Sequence, residues 1–419
     1  MVRRDRRRFL AALSTAAVGA AAGCVSPGTV RSGTHPITEP VTEWPSFRGD
    51  QYNTGYARGG EPTSADPEMV WTFDEADPYW GSPIVVDGTV YVGSVDGSLY
   101  ALDAATGQRQ WAYDTGGRLE ATPAYADGVV YIGSYDKGMY AVDAASGEER
   151  WTRQLGGLIR GSPTVVDGTV YVGVGCHNLA CAWYAEEADV SENGWVYALD
   201  GASGDTVWEF PVGNEVVSTP AVDEDTVYIG ASDENLYALD VDSGEPVWTY
   251  EASDMVWSSP ALAFDMVYVA DWDGEIHAVD ARSGEPVWTA SPFAQYISGS
   301  VAVDEDAVYV GDTPYNSLDD PTTYFAEMYK FDRQSGDELW RFETTAIEIG
   351  SSPVVTEDRI YFGSHGQTER EGVGVYSLTT DGEQEWYIEV GGRGVGSSPA
   401  LVDGRLYFSG TDGTMYAVE

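Results

Sequence analysis

The chain has 419 residues, and its aromatic content of 12% is enough to build a sizeable core. It contains 68 acidic and 22 basic residues, which gives a formal net charge of −46 at pH 7. So acidic a surface repels nucleic acid and anionic lipid headgroups, and it excludes both as expected ligands. We interpret the acidity as a solvation device, typical of proteins that stay soluble at molar salt, rather than as a cation-binding function.

The first 23 residues are predicted to be a twin-arginine signal peptide. Arg6-Arg7-Arg8-Phe9-Leu10 matches the pattern Arg-Arg-x-Phe-Leu, and the apolar run that follows is too short to span a membrane. Ala22-Gly23-Cys24 resembles a lipoprotein box, which predicts that Cys24 becomes a lipidated N-terminus. The alternative is ordinary cleavage nearby, because Ala21 replaces the leucine that is usual in such a box.

Residues 24–43 are rich in Pro, Thr, Ser and Gly and show no periodicity, which predicts a flexible tether. A lipid on Cys24 would then hold the chain at the extracellular face of the cell membrane without a transmembrane helix. Residues 44–419 are predicted to form the folded domain.

Residues 81–111 contain a unit that the rest of the chain repeats. The unit begins with Ser-Pro, and its alternating runs are separated by Asp-Gly, Asp-Gly and Thr-Gly pairs, which is typical of antiparallel hairpins. Each copy predicts a four-stranded sheet whose last strand carries a tryptophan. A period of about 40 residues with four strands per unit predicts an all-β fold, an eight-bladed β-propeller. The eight motif tryptophans are Trp71, Trp111, Trp151, Trp208, Trp248, Trp288, Trp340 and Trp386.

The two ends of the repeat region predict how the ring closes. The last copy runs to Glu419 without a tryptophan strand, while Trp71 has no strands of its own before it. We therefore expect Met69–Phe73 to supply the missing outer strand of the eighth blade, which would leave no open sheet edge between the ends of the ring.

Three copies depart from the repeat in the same way. Blade 3 has an insertion at residues 174–193, blade 6 at about 312–325 and blade 7 at 365–373. All three lie between the second and third strands, so they are expected on the face where the chain enters each innermost strand. Variable loops on one face of a rigid scaffold are typical of a binding face.

The residue just before each Ser-Pro-type start is expected near the propeller axis on that same face, and it does not repeat. Trp80, Glu120, Arg160 and Trp257 would surround the mouth of the channel, with Trp272, Tyr135 and His365 on adjoining loops. Aromatic rings beside a carboxylate and a guanidinium predict a pocket for a small ligand or a peptide. The alternative is structural: Glu120 and Arg160 pair, and the tryptophans plug the channel.

Few other motifs point to chemistry. Cys176 and Cys181 lie in the blade 3 insertion, and their even number in an exported chain favours a disulfide over a zinc site. Asp271-Trp272-Asp273-Gly274-Glu275 hints at a calcium loop but lacks the required spacing, so we interpret it as a turn of the repeat. Neither Gly-x-Ser-x-Gly nor His-Glu-x-x-His occurs, and we predict no catalytic, cofactor or metal residues.

The segment WPSFRGDQYNTG (residues 44–55) and the repeats Ala-Leu-Asp-Ala-x-Thr-Gly-x-x-x-Trp resemble the PQQ-like β-propeller family. That family includes the lipoprotein BamB and, more distantly, quinoprotein alcohol dehydrogenases. The resemblance covers residues 44–419, and the acidic composition suggests a haloarchaeal type. Arg48-Gly49-Asp50 also spells an adhesion tripeptide, but it lies inside this family segment.

The resemblance implies two possible functions. The first is a non-catalytic, monomeric binding or scaffold protein of the cell envelope, whose ligand is a protein, peptide or glycan. The second is a PQQ-dependent dehydrogenase, which uses PQQ over calcium, an aspartate base and commonly adjacent cysteines. The chain has no adjacent cysteine pair, so the binding function is the expected one.

Overall fold

The computed structural model describes residues 42–61, 63–74, 81–175, 194–291, 296–297, 299–314, 325–366 and 373–419. The proposed signal peptide, Cys24, the tether up to residue 41, Trp80, Cys176 and Cys181 lie outside these ranges. What was expected of them stays a prediction.

The described residues form 32 strands in eight four-stranded antiparallel sheets, which confirms the eight-bladed propeller. Blades 1 and 2 contain β2 (Ile84–Val86), β3 (Thr89–Gly93), β4 (Ser98–Asp103), β5 (Arg109–Asp114), β6 (Ala124–Ala126), β7 (Val129–Gly133), β8 (Gly138–Asp143) and β9 (Glu149–Gln154). Blades 3 and 4 contain β10 (Thr164–Val166), β11 (Thr169–Val174), β12 (Gly194–Asp200), β13 (Thr206–Val212), β14 (Ala221–Val222), β15 (Thr226–Gly230), β16 (Asn235–Asp240) and β17 (Pro246–Glu251). Blades 5 and 6 contain β18 (Ala261–Ala263), β19 (Met266–Ala270), β20 (Ile276–Asp280), β21 (Pro286–Ala290), β22 (Ala302–Val303), β23 (Ala307–Gly311), β24 (Glu327–Asp332) and β25 (Glu338–Glu343). Blades 7 and 8 contain β26 (Val354–Val355), β27 (Arg359–Ser364), β28 (Gly374–Thr379), β29 (Gln384–Glu389), β30 (Ala400–Val402), β31 (Arg405–Ser409), β32 (Met415–Val418) and β1 (Met69–Phe73).

Ring closure occurs as predicted. Strand β1 pairs antiparallel with β32, with Trp71 opposite Ala417 and Phe73 opposite Met415. A second closure runs nearer the axis, where the amide of Ser398 donates to the hydroxyl of Ser82 at 2.9 Å. The same bond from a backbone amide to a Ser or Thr hydroxyl joins other neighbouring blades, which explains why each unit begins with a hydroxyl residue.

The propeller has two different faces because its strands alternate in direction. The turn face carries the tight connections between first and second strands, such as Asp87-Gly88, and those between third and fourth strands. The φ angles of Asp87 (50°) and Gly88 (69°) both lie in the left-handed region that a type I′ turn requires. The insertion face carries the connections between second and third strands and the passage into each first strand. Strands β11, β23 and β27, which the three predicted insertions follow in the sequence, end on this face.

The core lies between neighbouring blades rather than within one. Tyr91 and Leu99 of blade 1, for example, pack in one cluster with Val130 and Ile132 of blade 2. The motif tryptophans connect blades in the same way. Trp71 of blade 8 donates its indole N–H to the carbonyl of Ala104 in blade 1 at 2.9 Å, and its ring covers a glycine of the same turn. Each blade therefore buries the faces of its neighbours.

Residues 44–57 lie against the innermost strands near the turn face. The amides of Val222, Val303 and Val355, on blades 4, 6 and 7, donate to carbonyls of this segment. The guanidinium of Arg48 is 3% exposed and donates to the carbonyls of Ser300 and Pro353, among others. Burial lowers the pKa of Arg48 to about 9. A buried, fully bonded arginine is unavailable to a receptor, so the structure excludes the adhesion function of this tripeptide.

The described residues contain one short helical segment, Phe47–Gly49, and thus no helix with the length and hydropathy needed to cross a bilayer.

Candidate functional site

The candidate site is built on the short extended stretch that precedes each first strand on the insertion face. At the centre of each of the seven described stretches stands an aliphatic residue that is at most 1% exposed. In six of them it packs on a glycine at or next to the end of a second strand, and in blade 5 that strand ends in Ala270 instead. A Cβ added at Gly133 would lie 2.1 Å from Ile159 Cγ2, so the two residues are closely matched. Because the chain is extended, the residues before and after the aliphatic residue point the other way and line the mouth. The aliphatic residues are Leu119, Ile159, Val216, Val256, Ile297, Ile349 and Val395.

Predicted residues Glu120, Tyr135 and Arg160 lie together on blades 2 and 3. The Glu120 carboxylate accepts from the Tyr135 hydroxyl and pairs with Arg118 at 2.8 Å. Burial, with the charge of Glu120, raises the pKa of the Tyr135 hydroxyl, although Arg160 opposes this. Arg160 Nη1 lies 3.7 Å from the Glu215 carboxylate, which is 1% exposed. At this part of the mouth, each of these carboxylates therefore lies beside an arginine.

Three aromatic rings continue the site across blade 5. Trp257 and Trp272 were predicted, and their ring centroids lie 4.4 Å apart. Tyr296 stacks on Trp272 at 4.7 Å with an interplanar angle of 20°. We call Trp257, Trp272 and Tyr296 the aromatic row. The guanidinium of Arg160 lies 5.7 Å from the ring centre of Trp257, so the row begins beside the charged pairs.

The far end of the row approaches blade 7. Burial and the charge of Glu348 raise the pKa of Tyr296 to about 12. Glu348 Oε1 lies 3.4 Å from Nε2 of His365, and the two residues also form a β-bridge. Predicted residue His365 is therefore held beside the row rather than against Glu120 or Arg160. The mouth is one continuous arc of paired charges and stacked rings.

Four residues of this arc were missed by the sequence analysis: Arg118, Glu215, Tyr296 and Glu348. Each stands two positions before the residue that directly precedes a Ser-Pro-type start, on the other side of the buried aliphatic residue. Because alternate residues of an extended stretch point the same way, both neighbours of a buried residue face the open side. This alternation was visible in the sequence, and it would have found all four.

The arrangement can bind, and it provides little for catalysis. Glu120 and Arg160 are engaged in ion pairs, and the described aromatic rings contact one another, as the plug alternative expects. Yet Glu120, Arg160 and the three rings of the row all remain partly exposed on the insertion face. Partly exposed aromatic rings among paired charges resemble the centre of a protein interface more than an acid–base site.

The described residues do not fit PQQ over a calcium ion. The rings of Trp257 and Trp272 are in contact at 4.4 Å and tilted by 57°, so no slot with parallel walls separates them for a planar cofactor. Among described residues, three potential metal ligands come together only at Asp271, Glu275 and His277. Those residues belong to the second and third strands of blade 5 and their connection, whereas the first strands line the axis. We derive no reaction step through this cofactor.

The fold and this mouth define a PQQ-like eight-bladed propeller with a binding face. A family profile described as outer membrane protein assembly factor BamB matches residues 63–120, 96–179, 188–315 and 325–419. Because these matches span most of the chain, the protein belongs to that family.

Solved structures of low sequence identity share the fold. BamB from Moraxella catarrhalis aligns over 84% of this chain and 100% of its own, at 20% identity and a TM-score of 0.66. The quinohemoprotein alcohol dehydrogenase ADHIIG from Pseudomonas putida HK5 aligns over 91% and 80%, at 17% identity and a TM-score of 0.74. That of Comamonas testosteroni aligns over 90% and 80%, at 18% identity and a TM-score of 0.71. Comparison with curated sequences gives no match. The structural likenesses include both BamB and alcohol dehydrogenases, so they establish the fold and not the activity.

Proposed function

We propose that this protein is a non-catalytic binding or scaffold protein of the cell envelope, which captures a protein segment on its insertion face. The aromatic row beside the Arg160–Glu215 and Arg118–Glu120 pairs carries this proposal. Aromatic and arginine side chains are the groups that most often dominate binding energy at protein interfaces. The rigid ring of blades holds them in place before the partner arrives, which lowers the entropic cost of binding.

The geometry of the row favours a protein segment over a glycan. Tyr296 stacks on one face of Trp272 at 4.7 Å, and the Trp257 ring, tilted by 57°, is centred 4.4 Å from Trp272, so neighbouring rings already cover part of Trp272. Sugars bind by lying on an open aromatic face, whereas a protein side chain can also pack against ring edges. A glycan partner is therefore the alternative outcome of the test.

The proposed setting follows from the sequence. Export through the twin-arginine pathway, with lipid on Cys24 and a tether over residues 24–43, would place a monomeric propeller at the extracellular face of the membrane. The net charge of −46 suits an environment of molar salt, as in haloarchaea. Intact mass of the membrane-extracted protein tests this: a chain beginning at Cys24 with added acyl mass supports it, and an unmodified N-terminus contradicts it.

The binding function is tested by capture from envelope extracts at molar salt. The wild-type chain should retain a defined partner that the Trp257→Ala/Trp272→Ala variant loses. Val247→Ser serves as the control, because Val247 is 54% exposed on the outer strand of blade 4 and lies away from the mouth. If the double variant captures the same partner as wild type, the row is only a plug and the proposal fails. Binding on a glycan array, lost in the double variant, would replace the protein partner by a sugar.

The enzyme alternative has its own measurement. The purified chain is mixed with PQQ and Ca²⁺, and absorbance and alcohol-dependent dye reduction are recorded. We expect no stoichiometric uptake and no turnover. Stoichiometric uptake with turnover would overturn the non-catalytic function.

A further inference from the structure

One position of the repeat changes its chemistry in blade 5 only. The third-strand residue that pairs with the fourth residue of the second strand is a tyrosine in seven blades: Tyr100, Tyr140, Tyr197, Tyr237, Tyr329, Tyr376 and Tyr416. In blade 5 it is His277, opposite Val269. Elsewhere the tyrosine hydroxyl commonly donates to an aspartate four residues earlier, as from Tyr100 to Asp96 at 2.8 Å.

His277 does not use the corresponding aspartate. Asp273 stands four residues before it, but the Nε2 atom of His277 lies 3.0 Å from Oδ2 of Asp271 instead. Asp271 follows the second strand directly, where blades 1 and 2 have Ser94 and Ser134. Blade 6 also has an aspartate here, Asp312, but keeps Tyr329 at the position of the histidine, so blade 5 alone combines this carboxylate with an imidazole.

A third departure from the repeat completes the group. Glu275 stands two residues before His277, where blades 1 and 2 have Ser98 and Gly138 and blade 6 has Glu327. One ligand atom from each of Asp271, Glu275 and His277 lies within 4.8 Å of the other two. Asp271 and His277 are almost completely buried, while Glu275 is partly exposed toward the insertion face.

The surroundings orient these groups. Nδ1 of His277 lies 3.0 Å from the hydroxyl of Tyr250, whose oxygen can accept a hydrogen bond from Nδ1–H, and in that tautomer the Nε2 lone pair is available to a ligand. Oδ1 of Asp271 accepts from the amide of Glu275 at 2.9 Å, which directs Oδ2 toward the histidine. The Glu275 carboxylate accepts from the hydroxyls of Ser253 and Ser291.

We propose that Asp271 Oδ2, His277 Nε2 and a Glu275 oxygen bind one divalent transition-metal ion, with Zn²⁺ as the best match. One imidazole and two carboxylates are a ligand set suited to such an ion, and the two carboxylates balance its charge. Binding needs Nε2 without its proton, and the ion replaces the hydrogen bond between His277 and Asp271. Rotation of the partly exposed Glu275 closes the remaining distance, and the insertion face is the route of access.

The metal site would lie next to the mouth and be linked to it through the backbone. Asp271 immediately precedes Trp272, the central ring of the aromatic row. Fixing Asp271 to His277 and Glu275 holds the end of β19 against β20, and with it the backbone of Trp272. Metal binding should therefore change the fluorescence of the row even if the row has no partner.

The experiment uses the purified full chain, dialysed against a chelator and titrated with Zn²⁺ and Co²⁺ in molar KCl, which screens weak binding to the acidic surface. We expect one equivalent of high affinity. Co²⁺ should give visible bands of nitrogen and oxygen ligands without thiolate charge transfer, which separates this site from Cys176 and Cys181.

Two variants test the ligands, and a third is the control. His277→Tyr restores the residue of the other seven blades, and Glu275→Gln changes a partly exposed side chain, so both should fold. Loss of a residue that only hydrogen-bonds to a metal ligand already costs about 10- to 100-fold in metal affinity, so loss of a ligand itself should cost more than about 100-fold. Glu327→Gln alters the blade 6 counterpart of Glu275 and should leave the affinity unchanged. The proposal is overturned if the wild-type chain binds no equivalent, or if His277→Tyr or Glu275→Gln keeps the wild-type affinity.

Discussion

The turn face and the insertion face of this propeller differ in how often each interaction is repeated. Between blades near the turn face, a tryptophan indole donates to a carbonyl of the next blade in copy after copy, from Trp71 to Ala104 and from Trp111 to Ala144. At the insertion face, corresponding positions hold Glu120, Arg160 and Trp257, which share no chemistry. The repeated contacts build the ring, and the unrepeated ones distinguish this protein from others with the same ring.

This difference gives a way to separate structure from function within one chain. A contact that recurs in every blade is needed by the fold, since every interface between blades must be closed. A side chain that appears once, at a position where its counterparts differ, has to be explained by its own surroundings. Substitutions should therefore affect stability strongly in the first group and ligand binding in the second.

The largest effect is expected for Trp71→Ala at the closing blade. The ring of Trp71 is 8% exposed and fills the space over Gly107, so its loss leaves a cavity where the ends of the chain meet. We expect the free energy of unfolding to fall by about 3–5 kcal/mol, measured by denaturant titration at fixed high salt. An unchanged unfolding midpoint would contradict closure by Met69–Phe73.

A slightly smaller effect is expected for Arg48→Ala, which tests an unrepeated element near the turn face. The guanidinium bonds carbonyls of blades 6 and 7 from within the buried segment 44–57. Its removal leaves those carbonyls without their donor, and we expect a loss of about 2–4 kcal/mol in unfolding free energy. Arg48→Lys should recover only part of it, because lysine lacks the planar fork. Equal stability of all three chains would show that the segment is not part of the fold.

An intermediate, pH-dependent effect is expected at Asp312, which is 1% exposed at the end of β23. Burial, with the nearby charge of Glu327, raises the pKa of its carboxyl from 3.8 to about 7. Between about pH 4 and 7, the folded state therefore keeps a proton that the unfolded state has released. The free energy of unfolding falls as the pH rises through this range.

Asp312→Asn keeps the shape of the side chain, but the amide does not ionise. The fall in the free energy of unfolding with pH should therefore be absent from the variant. The free energy of unfolding of the variant relative to wild type should increase between pH 4 and 7 and level off above pH 7. Exposed Asp306→Asn is the control and should show no such trend. A pH-independent difference for Asp312→Asn would refute the raised pKa.

The smallest effect on stability is expected for Glu120→Gln at the mouth. The Glu120–Arg118 pair is partly exposed, so its contribution to folding should be below about 1 kcal/mol. Partner capture should nevertheless weaken, because Arg118 and Tyr135 lose the carboxylate that orients them. A large fall in the unfolding midpoint would show that Glu120 is needed for folding. It would contradict the expectation that unrepeated side chains of the insertion face affect ligand binding rather than stability.

Much of the fold could be predicted because its causes are local and repeated. The Asp-Gly pairs specify tight turns, and the regular spacing of the motif tryptophans gives the number of blades. The position of Glu120, Arg160 and Trp257 on one face followed from the same regularity.

The partners of these residues could not be predicted. Arg160 approaches Glu215, and Trp272 lies between Trp257 and Tyr296, because of the angle between neighbouring blades and the rotamers that fit there. Neither is encoded in a local pattern. The burial of Arg48 was also hidden, since an Arg-Gly-Asp sequence carries no sign of the carbonyls that will surround it.

The bond between Ser398 and Ser82 joins residues 316 positions apart. Individual blades can assemble from neighbouring hairpins soon after synthesis, but the ring of blades cannot close until β32 is available to pair with β1. The entropy of joining such distant segments grows only slowly with their separation, yet contacts of long range delay folding. A chain truncated before β32 would thus carry seven complete blades and an incomplete eighth. The unpaired edge of β31 would then be prone to pair with another copy of the chain.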